Sequence, residues 1–139
     1  MQKVILDTNV IVSALISKSY PYQILFNYVF ERKITVCISD EIIKEYVEVL
    51  NRTKFEKFYN FKNNAEVVLN KLIEISVSFK PTEKLIIISD LADNKFLELA
   101  KESFSDYLIT GNHRDFDMSV FENTKVVSPK HYIEKYRPD

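Results

Sequence analysis

The chain has 139 residues, 46% of them apolar, with 19 Lys or Arg against 20 Asp or Glu and a formal charge of −1. Such a length and composition fit one globular domain, residues 1–139, and exclude a disordered or fibrous segment, while the balanced charge excludes a global positive field that would announce a nucleic-acid binder. Gly111 is the sole glycine, so no Gly-rich phosphate loop and no dinucleotide fingerprint is present, and ATP or NAD chemistry of the usual kinds is not expected.

In chain order, short runs rich in Val, Ile or Tyr predict strands at Lys3 to Leu6, Thr35 to Ile38, Tyr107 to Thr110 and Lys125 to Val127. Apolar periodicity predicts helices at Val10 to Ile16, Tyr22 to Glu31, Asp40 to Leu50, Asn63 to Ile75 and Asn94 to Ser103. Leu85 to Ile88 fits a further short strand or a buried extended stretch, and periodicity does not separate the two. Phe55, Phe58, Tyr59 and Phe61 are expected to extend the core through helical-hairpin packing. Strands separated by helices of this length predict an α/β fold with a parallel sheet covered on both faces.

Cys37 is the only cysteine, in the apolar run Ile34 to Ile38, so it is read as a small buried hydrophobe and no disulfide forms within the chain. A reducing compartment follows as the expectation. Asp7 comes too early for a signal peptide and no apolar run approaches about 18 residues, so a cytoplasmic protein with no membrane attachment is expected. Charge is uneven: residues 52–84 hold seven basic and four acidic residues, and residues 85–123 hold three basic and eight acidic, which suits an acidic centre beside a mildly basic flank.

The chemistry is expected where the acids meet the strand ends. Asp7 closes the first strand, and an acid there is costly unless a metal ion, a cation or hydrogen-bond donors compensate it. The same need recurs at Asp93, which can cap the helix that begins at Asn94; Asp90 contributes from the loop before it or assists the turn. Ligands in parallel α/β sheets gather outside the carboxyl ends of the strands, which favours Asp7 together with Asn112 and Asp115 just after the Tyr107 to Thr110 strand. Asp106 precedes that strand, more than about 10 Å away at about 3.3 Å per residue, and is read as a loop acid or hydrogen-bond acceptor. Ser39 is the expected N-cap of a helix whose stripe of Ile42, Ile43, Tyr46, Val47 and Leu50 leaves Glu45 at the edge between core and solvent. Spacing alone does not choose among Glu41, Glu45 and Glu48. Hard ions such as Mg²⁺ or Mn²⁺ suit such oxygen donors, whereas His113, His131 and Cys37 lack the spacing of a zinc site.

Val4-Ile5-Leu6-Asp7-Thr8-Asn9-Val10, Ser39-Asp40-Glu41-Ile42-Ile43-Lys44-Glu45-Tyr46, Asp90-Leu91-Ala92-Asp93-Asn94-Lys95-Phe96-Leu97-Glu98-Leu99-Ala100 and Asp106-Tyr107-Leu108-Ile109-Thr110-Gly111-Asn112, in this order, resemble the PIN domain. More narrowly they resemble its prokaryotic branch of toxin components of toxin-antitoxin systems, the VapC-like ribonucleases. The resemblance covers almost the whole chain. It implies a three-layer α/β/α sandwich with a central, mainly parallel sheet and a Mg²⁺- or Mn²⁺-dependent nuclease site. The family's first three acids match Asp7, Glu45 and Asp93. Its fourth position, commonly Asp, is Asn112 here, and Asp115 in Arg114-Asp115-Phe116 stands where an acid follows in members that have Asn. Thr8, Asn9, Ser39 and Thr110 match polar positions that orient carboxylates or water.

The implied activity is hydrolysis of RNA phosphodiester bonds with one ion, or two about 3.5 to 4 Å apart. RNA is implied by the toxin branch; the residues themselves do not distinguish it from DNA. Lys54, Lys57, Lys62 and Arg114 are candidate phosphate contacts, and Tyr59 or Tyr107 candidate stacking partners. The resemblance also implies a small antitoxin protein as partner and a homodimer. The reading from another class is a non-catalytic PIN-like module that binds protein or RNA.

Overall fold

Val4, Ile5 and Leu6 are all fully buried although successive strand side chains point to opposite faces, so β1 (Lys3–Leu6) is covered on both sides. The structure is a computed structural model and describes residues 1–86, 93–111 and 118–138. β1 lies in the middle of a six-stranded sheet, flanked in parallel by β2 (Thr35–Ile38) and β4 (Tyr107–Ile109). The order is β3-β2-β1-β4-β6-β5, with β3 (Val77–Ser78) and β6 (Thr124–Val127) parallel to their inner neighbours. β5 (Val120–Phe121) runs antiparallel to β6, so the sheet is mixed at that edge only. In register, Val4 faces Val36 on one side and Tyr107 on the other, and Leu6 faces Ile109, which brings the carboxyl ends of β1 and β4 level.

The helices follow from their apolar stripes. α1 (Thr8–Ile16) buries Val10, Ile11 and Ala14. α2 (Tyr20–Gln23) opens with Pro21, which is tolerated in a first turn, and widens into a π-helical stretch at Ile24–Val29. α3 (Asp40–Leu50) is capped by Ser39, whose Oγ accepts from the Ile42 N–H at 3.4 Å, and buries Ile42, Tyr46 and Leu50 at a spacing of four. After a 3₁₀ turn at Thr53–Phe55, α4 (Phe61–Ile75) buries Phe61, Ala65, Val68, Leu69 and Leu72. α5 (Asn94–Ser103) buries Phe96, Leu97, Leu99 and Ala100 and stops at Phe104, whose φ of 53° is left-handed. α6 (Pro129–His131) runs into a second π-helical stretch at Tyr132–Tyr136, which buries Tyr132 and Ile133. Sheet and helices share one buried apolar cluster and form a three-layer α/β sandwich. Each fully buried Leu or Ile contributes roughly 2 kcal/mol, so the conformation of the strand ends is held by the core beneath them.

The predicted strands and helices are present, with the helix expected at Tyr22 to Glu31 resolved into α2 and its π-helical continuation. Two expectations are corrected. Leu85 and Ile86 belong to no strand, and Ile86 is 85% exposed, because a hydrogen bond from the Leu85 N–H to Glu98 Oε2 at 2.8 Å, not a neighbouring strand, fixes this segment. Ile87 and Ile88 lie outside the described residues. Phe55 stacks on Phe61 at 4.9 Å as expected, but Tyr59 is 97% exposed and adds nothing to the core. No helix among the described residues is long and apolar enough to cross a membrane.

Candidate active site at the carboxyl edge of the sheet

Leu6 is the last residue of β1, so Asp7 emerges at the carboxyl edge of the sheet, where the backbone N–H of Asp7 still donates to Ile109 at 2.9 Å. Its side chain is only 6% exposed. Although Asp7 occupies the N-cap position of α1, its carboxylate makes no capping bond; Oδ2 accepts from the Thr110 hydroxyl at 2.6 Å and from Asn9 Nδ2 at 3.3 Å. These donors come from the first turn of α1 and from the residue after β4, and they offset part of the cost of burying the charge. Asn9 is oriented in turn by the Gly111 N–H, which donates to its Oδ1 at 3.1 Å. A Cβ on Gly111 would stand 3.3 Å from that oxygen, so the sole glycine permits this close approach.

Thr8, on the same turn, reaches the other way: its hydroxyl donates to Glu45 Oε2 on α3. The second Glu45 oxygen, Oε1, is paired with Lys95 Nζ at 2.8 Å from α5. Thr8 thus ties the first helix to the third and Lys95 ties the third to the fifth. Tyr46, beside Glu45, is fully buried and donates to the Leu6 carbonyl at 2.5 Å. Burial first, then the Asp7 and Glu45 charges, hold its phenol well above the usual tyrosine range.

Of the three glutamates on α3, only Glu45 meets this network. Glu41 pairs with Lys84 and Glu48 with Arg52 at 2.8 Å, both at the surface. Ser39 serves as the helix cap expected of it. Asp93 is partly buried at the head of α5, two residues before Lys95, and its side chain makes no capping hydrogen bond to that helix, so the capping role open to it in the sequence is not taken. Asp90, Asn112, His113, Arg114 and Asp115 lie outside the described residues. Asp106 is at the opposite end of β4, where Oδ2 accepts from the Lys3 N–H at 2.9 Å. Lys54 and Lys57 are exposed and lie over the rings of Phe55 and Phe58, and Tyr107 packs against Tyr132 and Tyr136, so that ring is engaged within the fold.

The assembled donors are carboxylate and hydroxyl oxygens, which suit a hard divalent ion; Cys37 is buried within the sheet and His131 stacks on Tyr136 at the far edge. Among the described residues, no three His, Cys, Asp or Glu side chains come together closely enough to hold a metal ion. Lys95 and the Tyr46 hydroxyl are the contributors that the sequence reading missed. Tyr46 was counted in an apolar stripe, although a buried tyrosine needs a partner for its hydroxyl. Lys95 directly follows Asp93 and Asn94, and its partner becomes visible only once α3 and α5 are side by side.

An α/β/α sandwich with a buried acid at the carboxyl end of its central strand, and a second acid on another helix held by the residue that follows the first, defines the class. The chain belongs to the PIN domain family, whose model matches residues 3–114. It is 34% identical to an uncharacterised protein of Methanocaldococcus jannaschii over 143 residues, covering 96% of this chain and 91% of that one. In fold it resembles VapBC2 from Rickettsia felis, solved with a DNA fragment from their promoter, at a TM-score of 0.59 and 17% identity over 91% of this chain and 98% of that one. It likewise resembles FitAcB from Neisseria gonorrhoeae at a TM-score of 0.55 and 20% identity, covering 92% and 99% of the two chains.

Proposed function

We propose that this protein is a divalent-cation-dependent endoribonuclease, the toxin of a toxin-antitoxin pair, with Asp7, Glu45 and Asp93 as its acids and Asn112 and Asp115 completing the set. The observation that carries the reading is the network in which Asp7, 6% exposed, is held by Thr110 and Asn9 while Thr8 of the same turn holds Glu45. Carboxylates held in fixed orientation at the carboxyl edge of a parallel α/β sheet suit an ion, and Asp7 makes no helix-capping bond. Mg²⁺ or Mn²⁺ at this place supplies water activation and charge neutralisation for phosphodiester hydrolysis. Asp7 and Glu45 provide the negative charge that retains the ion, Thr8, Asn9 and Thr110 hold their carboxylates in place, and no covalent intermediate with the protein is required. Lys54, Lys57 and Arg114 are proposed to meet phosphates of the polymer.

The solved neighbours extend the proposal to a small antitoxin as partner, and a homodimer is carried with it. The DNA in the Rickettsia felis complex is a promoter fragment and so does not define the polymer that is cut. The second reading is a PIN-like module that binds protein or RNA without cutting it. One experiment separates them: purified, antitoxin-free protein is incubated with a panel of single-stranded and structured RNAs in Mn²⁺ and in EDTA. The expected result is cleavage in Mn²⁺ that disappears in EDTA and in Asp7→Asn. Retained cleavage in Asp7→Asn would sink the mechanism, and RNA retention without cleavage by the wild type points to the binding module. Asp115→Asn weakens cleavage if Asp115 takes the place of the more common fourth acid.

A further inference from the structure

Glu45 and Lys95 form an ion pair unlike the other pairs on α3. Lys95 and Glu45 side chains are 17% and 18% exposed, whereas Arg52 and Glu48 are 47% and 61% exposed and Lys84 and Glu41 are 74% and 51% exposed. Exposed pairs exchange readily with water and dissolved ions; a shielded pair leaves an uncompensated charge if one partner is removed. At Glu45 the two oxygens are divided between two holders, the Thr8 hydroxyl on Oε2 and the Lys95 ammonium on Oε1 at 2.8 Å. A divalent ion liganded through Oε1 competes with the ammonium for the lone pairs of that one oxygen and brings two further positive charges against it. Contact and charge both oppose simultaneous occupancy.

We propose that Lys95 is a built-in competitor of the divalent ion: its ammonium holds Glu45 in the metal-free protein and must leave Oε1 for the ion to bind there. The inference rests on the nuclease reading insofar as it takes Glu45 as a ligand. Lys95 is then a positioning residue with two effects. It keeps Glu45 oriented and its charge compensated when no ion is present, and it raises the ion concentration at which the site fills. The Thr8 bond to Oε2 is the pivot that remains while Oε1 changes partners.

The test is Mn²⁺ titration of the whole chain, followed by the electron paramagnetic resonance signal of free Mn²⁺, with melting curves in EDTA and in Mn²⁺. Wild type, Lys95→Met, Lys95→Arg and Asp7→Asn are compared. Lys95→Met is expected to bind Mn²⁺ about fivefold or more tightly than wild type, because a cation beside the ion has been removed. The same variant is expected to melt lower than wild type in EDTA and to gain more from Mn²⁺, and Lys95→Arg, which keeps the charge, restores the weaker binding. A merely structural lysine gives the opposite sign, since loosening Glu45 lowers metal affinity. Equal or weaker Mn²⁺ binding by Lys95→Met, beside measurable binding by wild type, overturns the inference and leaves the nuclease reading standing. No Mn²⁺ binding by any of the four chains overturns both. If Lys95→Met shows no cooperative melting in EDTA, Lys95→Gln takes its place in the same comparison.

Discussion

The two ends of the central strands each carry buried polar groups and an aspartate, yet they use them differently. At the amino end the side chains serve the backbone. Asp106 accepts from the Lys3 N–H, Lys3 Nζ donates to the Ser103 carbonyl at 2.6 Å, and the Thr124 hydroxyl donates to the Ser105 carbonyl at 2.6 Å. At the carboxyl end the Tyr46 hydroxyl also serves the backbone, at the Leu6 carbonyl, but two hydroxyls, an amide and an ammonium are directed onto the carboxylates of Asp7 and Glu45. The first arrangement closes loops and stitches strands. The second holds negative charge in place, which costs stability unless something positive arrives or is already there.

Removing one charge from each end gives the largest contrast. Asp7→Asn and Asp93→Asn are expected to lower Mn²⁺-dependent RNA cleavage by about 100-fold or more and Glu45→Gln to lower it strongly, whereas Asp106→Asn stays within about twofold. Initial rates on one RNA from the panel measure this, and melting curves of the same samples show whether a loss exceeds any loss of folding. Equal losses for Asp7→Asn and Asp106→Asn would erase the functional difference between the two ends.

Much of that contrast was legible in the sequence because burial dictates it. β1, β2, α3 and α5 lie where their apolar patterns place them, and the strand-end rule alone separates Asp7 from Asp106. Elements of two residues were not legible: Val77–Ser78 and Val120–Phe121 are strands by virtue of their partners, β2 and β6, and not by a pattern of their own. The π-helical widening at Ile24–Val29 has no periodic signature distinct from a helix. Glu41, Glu45 and Glu48 were equivalent by spacing and became distinct only through Thr8, Lys84, Arg52 and Lys95, contacts between distant parts of the chain. Asn112 and Asp115 remain an assignment by family resemblance.

Two substitutions probe the frame of each end without touching its carboxylates. Tyr46→Phe leaves the buried Leu6 carbonyl without its 2.5 Å donor and is expected to cost about 1 to 3 kcal/mol by urea denaturation. It also carries a pH signature. The Tyr46 pKa is raised in the folded chain, so above about pH 10 the unfolded state loses a proton that the folded state retains. Its contribution to stability is therefore full below that pH and falls as pH rises past it, and the phenylalanine variant shows a flatter alkaline slope. Thr124→Val at the amino end is expected to cost about 1 kcal/mol while leaving metal-dependent cleavage per folded molecule unchanged. A loss of cleavage beyond the loss of folding in that variant would mean that the two ends are coupled.

The smallest effect is expected at Glu48, which shares α3 with Glu45 but pairs with Arg52 at 2.8 Å on a surface where both side chains are 47% or more exposed. Glu48→Gln removes as much charge as Glu45→Gln does, from the same helix and three residues away. Water and salt screen the exposed pair, so stability is expected to change by no more than about 0.5 kcal/mol, and that difference to shrink as ionic strength rises. Cleavage is expected to stay within about twofold, because no hydroxyl or ammonium of the carboxyl-edge network contacts Glu48. Measured beside Glu45→Gln in the same Mn²⁺ assay, this pair separates position from charge. If Glu48→Gln loses as much activity as Glu45→Gln, helix-wide negative charge and not the carboxylate held by Thr8 is what the reaction uses.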